Sequence, residues 1–270
     1  MRRIGSAVGL SALLLVTIWL LPSWVTLALA ALAAGLAAAE VAGLSAAAGA
    51  PVPRPLVAVA AATVAVAFVF ATAESTHGDR SAAFPAVLLA LVVAGGLVTL
   101  VLGPPAPATL TRAGVLVMAP LYAGLPLGAF TWIQWTLGPG AVTWLLGVVA
   151  ISDTAQYYAG RRFGRTKLAP LVSPAKTREG ALGGLLGAAL AGLSFAPLWT
   201  TAPGPAGQVG LAVLLALFGI AGDLFESLLK RSAGVKDSST LIPGHGGVLD
   251  RLDSHLFAAP VFCLMARLLA

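Results

Sequence analysis

The sequence predicts an all-α polytopic membrane protein with about nine transmembrane helices and its N-terminus in the cytoplasm. Hydrophobic residues make up 59% of the 270 residues and charged residues only 10%, whereas soluble domains carry about 25% charged residues. The mean hydropathy is +0.95. Apolar runs recur along the chain at the length of about 20 residues that a helix needs to cross a bilayer.

Each apolar run of this length is predicted to form one helical span. Helices are favoured over barrel strands because the runs are long and continuous, and a helix satisfies its own backbone hydrogen bonds in lipid. In chain order the spans are predicted at 5–21, 23–41, 55–73, 83–102, 112–130, 141–158, 180–199, 207–229 and 253–269. The first run is expected to remain as a span and not to be cleaved as a signal peptide, since further apolar runs follow it.

The positions of lysine and arginine predict the topology, because these residues accumulate on the cytoplasmic side of membrane proteins. With the N-terminus inside, only Arg80 and Arg267 of the 16 basic residues fall outside. The long polar loops, at about 159–179 and 230–252, then face the cytoplasm together. We therefore expect a multi-pass protein of the inner (plasma) membrane whose polar site faces the cytoplasm.

Composition also argues against several other classes. The net charge is +6, but the basic residues lie in short loops between apolar spans, so a lipid bilayer and no nucleic acid is the expected partner. The single cysteine, Cys263, cannot form an intramolecular disulfide. No cluster of cysteine and histidine has the spacing of zinc ligands.

The acidic residues concentrate at the predicted cytoplasmic ends of spans six to nine, where seven of the ten lie between positions 153 and 253. Charges at a bilayer edge are costly and therefore indicate a functional site. Span eight ends with Asp223, Glu226, Ser227, Lys230 and Arg231 on one helix face. Interfacial ion pairs such as Glu226–Lys230 explain part of this face. No basic residue lies beside Asp223 in the sequence, which favours a metal ligand there.

Two aspartates, Asp250 and Asp253, open span nine. A helix N-terminus favours acidic caps, and this explanation is strongest for Asp253, whereas Asp250 could reach across to Asp223 and share a cation with it. The preceding turn, Pro243–Gly247, either lets the backbone approach a phosphate closely or is simply a tight loop. Within it, His245 would contact a phosphate or cap the turn.

A second group of polar residues precedes span seven. Asp153 lies near the end of span six, followed by Gly160–Arg165 (GRRFGR), by Ser173–Gly180 (SPAKTREG) and by Gly183-Gly184. Positive-inside topology and attraction to anionic lipid also explain the basic residues. Hydroxyl and acidic caps at a helix start also explain the second block. Glu40, at the end of span two, is expected to pair locally.

Together these motifs resemble the signature of the CDP-diglyceride synthetases, also called phosphatidate cytidylyltransferases. The C-terminal matches are Ser227, Lys230-Arg231, Lys236-Asp237, His245-Gly246-Gly247 and Asp250-Arg251-Leu252-Asp253. The resemblance covers roughly residues 150 to 260. One departure is Ala175, which stands where the family commonly has a lysine; Lys176 and Arg178 are the nearest cations that could replace it.

The resemblance implies an enzyme of phospholipid biosynthesis that transfers a cytidylyl group from CTP to phosphatidic acid. It also implies that Asp223 and Asp250 bind Mg²⁺, and that the protein is a homodimer. A second cation, shared by carboxylates such as Glu226 or Asp153, is left open. The chain is expected to form a single membrane domain over 1–270, with N-terminal helices over 1–140 and catalytic helices and loops over 141–270.

The predicted site residues fall into three sets. The catalytic set is Asp223, Asp250, Lys230, Arg231 and Lys236. The substrate-binding set is Ser173, Lys176, Thr177, Glu179, Asp153, His245, Gly246, Gly247 and Arg251. The metal-binding set is Asp223, Asp250 and Glu226.

Two other functions remain open. A CTP-dependent polyprenol or phytol kinase would also be an apolar membrane protein with a cytidine nucleotide site, but it would transfer the γ-phosphoryl group. Only the resemblance argues against this kinase. A cation-coupled transporter would use Asp153 and Asp223 as ion sites, but the sequence has no evident inverted repeat, and its carboxylates cluster at the predicted cytoplasmic edge and not at the midplane.

Overall fold

The computed structural model describes residues 12–72, 83–199, 203–242, 244 and 246–269. Its helices are residues 12–20 (α1), Ser23–Ala47 (α2), Arg54–Thr72 (α3), Ala83–Val101 (α4), Thr109–Leu137 (α5), Pro139–Phe163 (α6), Arg178–Ser194 (α7), Pro205–Ser232 (α8) and Leu249–Leu269 (α9). Two short strands, Lys167–Ala169 (β1) and Ser173–Thr177 (β2), and a 3₁₀ turn at Ala196–Leu198 complete the described secondary structure.

The helices confirm the predicted class, an all-α polytopic membrane protein. Within the described residues, five helices are long and apolar enough to cross a membrane: α2, α3, α4, α5 and α8. Nine spans and a cytoplasmic N-terminus stay predictions. The fifth helix is longer than its predicted span, because Pro120 and Pro126 lie inside it without ending it and it stops only at Gly138, which has a positive φ of 85°.

The polar loop after α6 contains a β-hairpin that the sequence pattern did not predict. Strands β1 and β2 pair antiparallel, with Lys167 opposite Thr177 and Ala169 opposite Ser173. Neither strand has the run of alternating apolar residues that marks a half-buried strand. Hydrophobic periodicity therefore does not predict short strands of this kind.

The chain divides into two compact units. The first contains Met1–Trp132 and Leu229–Arg251, and the second contains Ile133–Leu228 and Leu252–Ala270. A single domain over 1–270 stays a prediction. In the first unit α2 and α4 pack on α3, and α5 approaches α3 closely, because a Cβ added at Gly124 would lie 2.6 Å from the carbonyl oxygen of Ala61.

Small residues bring α6 and α7 together in the second unit. A Cβ added at Gly187 would lie 2.6 Å from the Ala155 Cβ, and one at Gly184 would lie 3.2 Å from the Gln156 Cβ. Only glycine allows backbones to approach this closely. The Gly183-Gly184 pair of the sequence motif is therefore explained by helix packing, which sets β2 and the start of α7 beside the end of α6.

Candidate active site

The second unit gathers three carboxylates and one lysine, which we call the carboxylate cluster: Asp153, Asp223, Asp253 and Lys176. Lys176 forms an ion pair with Asp223, and their side chains are 13% and 28% exposed. Asp153 accepts a hydrogen bond from the Ser254 side chain and lies close enough to Asp223 and Lys176 to interact electrostatically. Asp253 interacts in the same way with Asp223, Asp153 and Lys176.

Four elements supply these side chains: α6 carries Asp153, β2 carries Lys176, α8 carries Asp223 and α9 carries Asp253, one turn after its start. Gly222 explains how the last two meet, because a Cβ there would overlap the Asp253 carbonyl oxygen and lie 3.2 Å from the Phe257 Cβ. The rings of Phe225 and Phe257 pack beside this contact with centroids 5.6 Å apart. Close packing of α8 on α9 therefore places Asp223 next to Asp253.

The chemistry of the carboxylate cluster suits a hard divalent cation. Three aspartates and one ammonium carry a net negative charge when all are ionised, and like charges at close range are costly without a cation. Mg²⁺ prefers carboxylate oxygens as ligands. Among the described residues, no three His, Cys, Asp or Glu side chains already converge as metal ligands; Lys176 supplies the positive charge beside Asp223 instead.

Two side chains, Thr177 and Glu179, stabilise the hairpin and the start of α7 through hydrogen bonds to backbone amides. The Thr177 hydroxyl accepts a hydrogen bond from the Gly180 amide at 3.1 Å, which confirms the predicted hydroxyl cap. Glu179 accepts hydrogen bonds from the backbone amides of Arg165 and Thr166, at 3.0 and 3.1 Å. These amides, that of Arg165 first, lower the pKa of Glu179 to about 2. Glu179 therefore fixes the loop before β1.

Asp250 belongs to the first unit and is surrounded by donors. Its Oδ1 accepts from Lys230 Nζ at 2.6 Å, and its Oδ2 accepts from the Ser238 amide at 2.9 Å, the Ser238 hydroxyl at 2.8 Å and the Gly247 amide at 2.8 Å. Burial alone would raise the pKa of this carboxyl, but the hydrogen bonds from Lys230, Gly247 and Ser238 lower the pKa to about 2. Asp250 is thus held as an ordered carboxylate.

A second buried carboxylate, Glu40 on α2, contacts the same loop. It is 8% exposed and accepts hydrogen bonds from the Ser238 and Ser239 hydroxyls and from the backbone amides of Val248 and Leu249. The expectation of local pairing for Glu40 was wrong, because these partners lie about 200 residues away in sequence. We call Glu40, Asp250, Lys230 and the loop 235–249 the loop network.

The glycines of the predicted turn make room for these carboxylates. A Cβ added at Gly247 would overlap both the Ser238 hydroxyl and the Glu40 carboxylate, and one at Gly246 would lie 2.6 Å from Asp250 Oδ2. Gly246 also has a φ of +82°, which favours glycine. Gly246 and Gly247 therefore have a packing role in addition to any contact with phosphate.

The remaining predicted residues are distributed as follows. Lys236 and Arg251 are exposed, Ser173 is half-buried at the start of β2, and Glu226 is fully buried on α8. Arg231 is exposed and donates from Nη1 to the Val235 carbonyl oxygen at 3.0 Å. His245 lies outside the described residues. Asp223 and Asp250 belong to different units, and their sharing of one cation stays a prediction.

Sequence reasoning missed three contacts. It placed no cation beside Asp223, where the structure places Lys176. It treated Asp253 mainly as a helix cap, although Asp253 also faces Asp223. It gave Glu40 no role in the motif. Only the role of Asp253 could have been predicted from the sequence. Asp253 lies three residues after Asp250, so the two aspartates lie near the same face of α9.

The helices are apolar, and the motif residues lie in polar clusters. These two features define a polytopic membrane protein with a polar candidate site. The chain belongs to the cytidylyltransferase family, whose sequence model matches residues 1–269. This finding confirms the family that the motifs resembled.

Individual relatives match over shorter stretches. The chain is 44% identical over 139 residues to a phosphatidate cytidylyltransferase of Helicobacter pylori, covering 52% of each chain. It is 41% identical over 160 residues to a phosphatidate cytidylyltransferase of Pseudomonas aeruginosa, covering 56% of this chain and 55% of the relative. An uncharacterized protein of Escherichia coli, YnbB, is 46% identical over 127 residues, which cover 47% of this chain and 42% of the relative. The chain thus spans about half the length of the curated relatives it matches.

Proposed function

We propose that this protein transfers the cytidylyl group of CTP to phosphatidic acid, giving CDP-diacylglycerol and pyrophosphate. The observation that carries the proposal is the family match over residues 1–269. The aspartates and lysines of the family's motifs lie in the two polar clusters, which have the charges that a phosphate-transfer site needs. Similarity to two phosphatidate cytidylyltransferases supports the choice of phosphatidic acid as acceptor.

In the proposed reaction an oxygen of the lipid phosphate attacks the α-phosphorus of CTP, and the bond from that phosphorus to the bridging oxygen of the pyrophosphate breaks. The lipid phosphate is already an oxyanion, so no general base is required, and catalysis rests on positioning and charge. Lys176 provides an ammonium group in the carboxylate cluster, and Lys230 provides one in the loop network. They would bind phosphate oxygens as negative charge moves to the leaving pyrophosphate.

Mg²⁺ fits the carboxylate cluster by the chemistry of its donors. Asp223 would hold the ion with Asp153 or Asp253 beside it, and Asp250 is the second ligand that the family resemblance implies. When bound, Mg²⁺ would neutralise the triphosphate and its developing charge. Lys176, which pairs with Asp223, would supply an ammonium group for a phosphate oxygen beside that ion.

The proposed setting is the inner membrane, with the polar clusters at the cytoplasmic face where CTP is available. Exposed Arg161, Arg162, Arg165 and Lys167 follow α6 and fit a cytoplasmic loop. The lipid substrate would enter from the bilayer. A homodimer is proposed only from the family resemblance.

A labelling experiment tests the proposed reaction. Purified protein in detergent is given Mg²⁺, phosphatidic acid and CTP labelled at either the α- or the γ-phosphorus, with a polyprenol in parallel tubes. The proposal predicts lipid labelled from the α position only, and only with phosphatidic acid. Label from the γ position would indicate a lipid kinase, and no label from a folded sample would overturn both enzyme assignments.

A further inference from the structure

We infer that Glu40 is a positioning residue for the C-terminal motif: its carboxylate, on α2, fixes the loop that holds Asp250 and Lys230. This inference rests on the proposed function for its activity readout, but not for its structural one. No sequence motif includes Glu40. Its role follows only from its contacts.

Both oxygens of Glu40 are occupied by the loop. Oε1 accepts from the Ser239 hydroxyl at 2.7 Å and from the Val248 amide at 3.0 Å. Oε2 accepts from the Ser238 hydroxyl at 2.9 Å and from the Leu249 amide at 2.8 Å. A carboxylate has about four acceptor sites, and four donors lie within hydrogen-bond distance of Glu40, one of which, the Ser238 hydroxyl, also lies within reach of Asp250.

Two of these donors are backbone amides at the start of α9. The first amides of a helix have no partner within the helix and need an acceptor from outside. A negative charge there also complements the helix dipole. Glu40 therefore serves as the cap of α9, although it belongs to a helix about 200 residues earlier in the chain.

The Ser238 hydroxyl links Glu40 directly to Asp250. It lies 2.9 Å from Glu40 Oε2 and 2.8 Å from Asp250 Oδ2, but a hydroxyl has one proton to donate. The two carboxylates thus compete for that proton on a residue whose amide also bonds Asp250. Moving Glu40 would release Ser238, and Asp250 would lose the geometry that holds Lys230.

The shape of the loop matches a carboxylate at this position. Gly247 has no side chain, and the Glu40 carboxylate fills the place where its Cβ would be. The amide of the same Gly247 bonds Asp250 at 2.8 Å. One glycine therefore contacts both acids, so their positions depend on each other.

The test compares Glu40→Ala and Glu40→Gln with Ser45→Ala in the full-length protein. Ser45 is a matched control, because it is a buried polar residue of the same helix whose hydroxyl bonds only the Ala50 carbonyl oxygen, away from the loop. Hydrogen exchange is measured over 235–251 and over the rest of the chain. The kcat and KM for CTP and phosphatidic acid are measured in parallel.

Removal of the carboxylate should act on the loop and on kcat. Glu40→Ala should speed exchange within 235–251, leave α6 and α7 unchanged, and lower kcat by about 10- to 100-fold with KM within about twofold, since a small misplacement of reacting groups has effects of this size. Glu40→Gln keeps the side-chain length and one acceptor oxygen, so it should fall between Glu40→Ala and wild type. Ser45→Ala should match wild type.

Three results would overturn the inference: unchanged loop exchange in Glu40→Ala, faster exchange throughout the chain, or a kcat within twofold of wild type when the wild type is active. If the wild-type protein transfers no label, the proposed function fails. The exchange data still decide whether Glu40 holds the loop.

Discussion

The carboxylate cluster and the loop network use the same residue types in opposite ways. In the loop network, Glu40 and Asp250 are each surrounded by hydroxyl, amide and ammonium donors. In the carboxylate cluster, three aspartates lie close enough to interact electrostatically, and Lys176 forms an ion pair with one of them, Asp223. The first arrangement is electrostatically satisfied and orders the chain. The second would carry excess negative charge with all three aspartates ionised, and such a charge favours binding of a metal ion.

Asp223→Asn should give the largest effect on activity. Removing this ligand should lower turnover by about 100-fold or more, as losing one important electrostatic group in a site does, and the melting temperature should not fall, because repulsion among the aspartates is relieved. Cytidylyl transfer and thermal unfolding are measured together. The control is Thr154→Ala, whose exposed hydroxyl only bonds its own helix at Ala150. Full activity of a folded Asp223→Asn variant would remove the metal site from the carboxylate cluster.

Asp250→Asn should lower stability as well as turnover, whereas Asp223→Asn should lower turnover without a loss of stability. Lys230 and Asp250 form a largely buried pair, with side chains 11% and 7% exposed, and breaking it should cost less than the about 3–5 kcal/mol of a fully buried pair. Chemical unfolding of the detergent-solubilised protein measures this loss. Lys230→Met, which leaves Asp250 without its cation, should lose a similar amount. Equal stability of Asp250→Asn and wild type would show that the two clusters do not differ as described.

Gly247→Ala should destabilise the protein through the loop network. The new methyl group would overlap the Glu40 carboxylate and the Ser238 hydroxyl, and overpacking costs about 1–3 kcal/mol. Gly114→Ala is the matched control, because nothing lies within 4 Å of its added Cβ and alanine favours a helix. Both variants are compared by thermal unfolding. A Gly247→Ala variant as stable as wild type would contradict the packing role of this glycine.

The pH dependence of stability should show the smallest effect. The pKa of Asp250 is lowered from 3.8 to about 2 in the folded protein. Its contribution to stability is therefore complete above pH of about 4 and is lost as the pH falls toward 2. Wild-type unfolding should lose stability more steeply than Asp250→Asn in this window, by up to about 1.4 kcal/mol per pH unit. Parallel curves for the two proteins would mean that Asp250 does not titrate in this way.

Local features of the sequence predicted much of the fold. Apolar runs located the starts of α2 to α9 to within a few residues, as at Arg54 and Leu249, but the ends of α2 and α5 lie further along the chain than predicted. A hydroxyl cap was predicted within the block from Ser173 to Glu179, because hydroxyl residues before a helix commonly cap it, and Thr177 provides that cap. The hairpin was missed, since its strands are short and carry no apolar alternation.

The site was less predictable because its main contacts are distant in sequence. Asp223 and Lys176 are far apart along the chain, and their ion pair depends on how β2 lies against α8. Glu40 is farther still from Leu249. No periodicity connects such residues, so the motifs identified the chemical groups but not their partners.

The contact between Glu40 and the start of α9 has a consequence for grafting parts of this protein onto other membrane proteins. A chimera that replaces the first helices with an unrelated membrane hairpin would keep every residue of the two motifs. It would nevertheless lack the carboxylate that accepts hydrogen bonds from the Val248 and Leu249 amides. Functional grafts of the C-terminal half should therefore require a donor of the N-terminal half that presents a carboxylate at this one position.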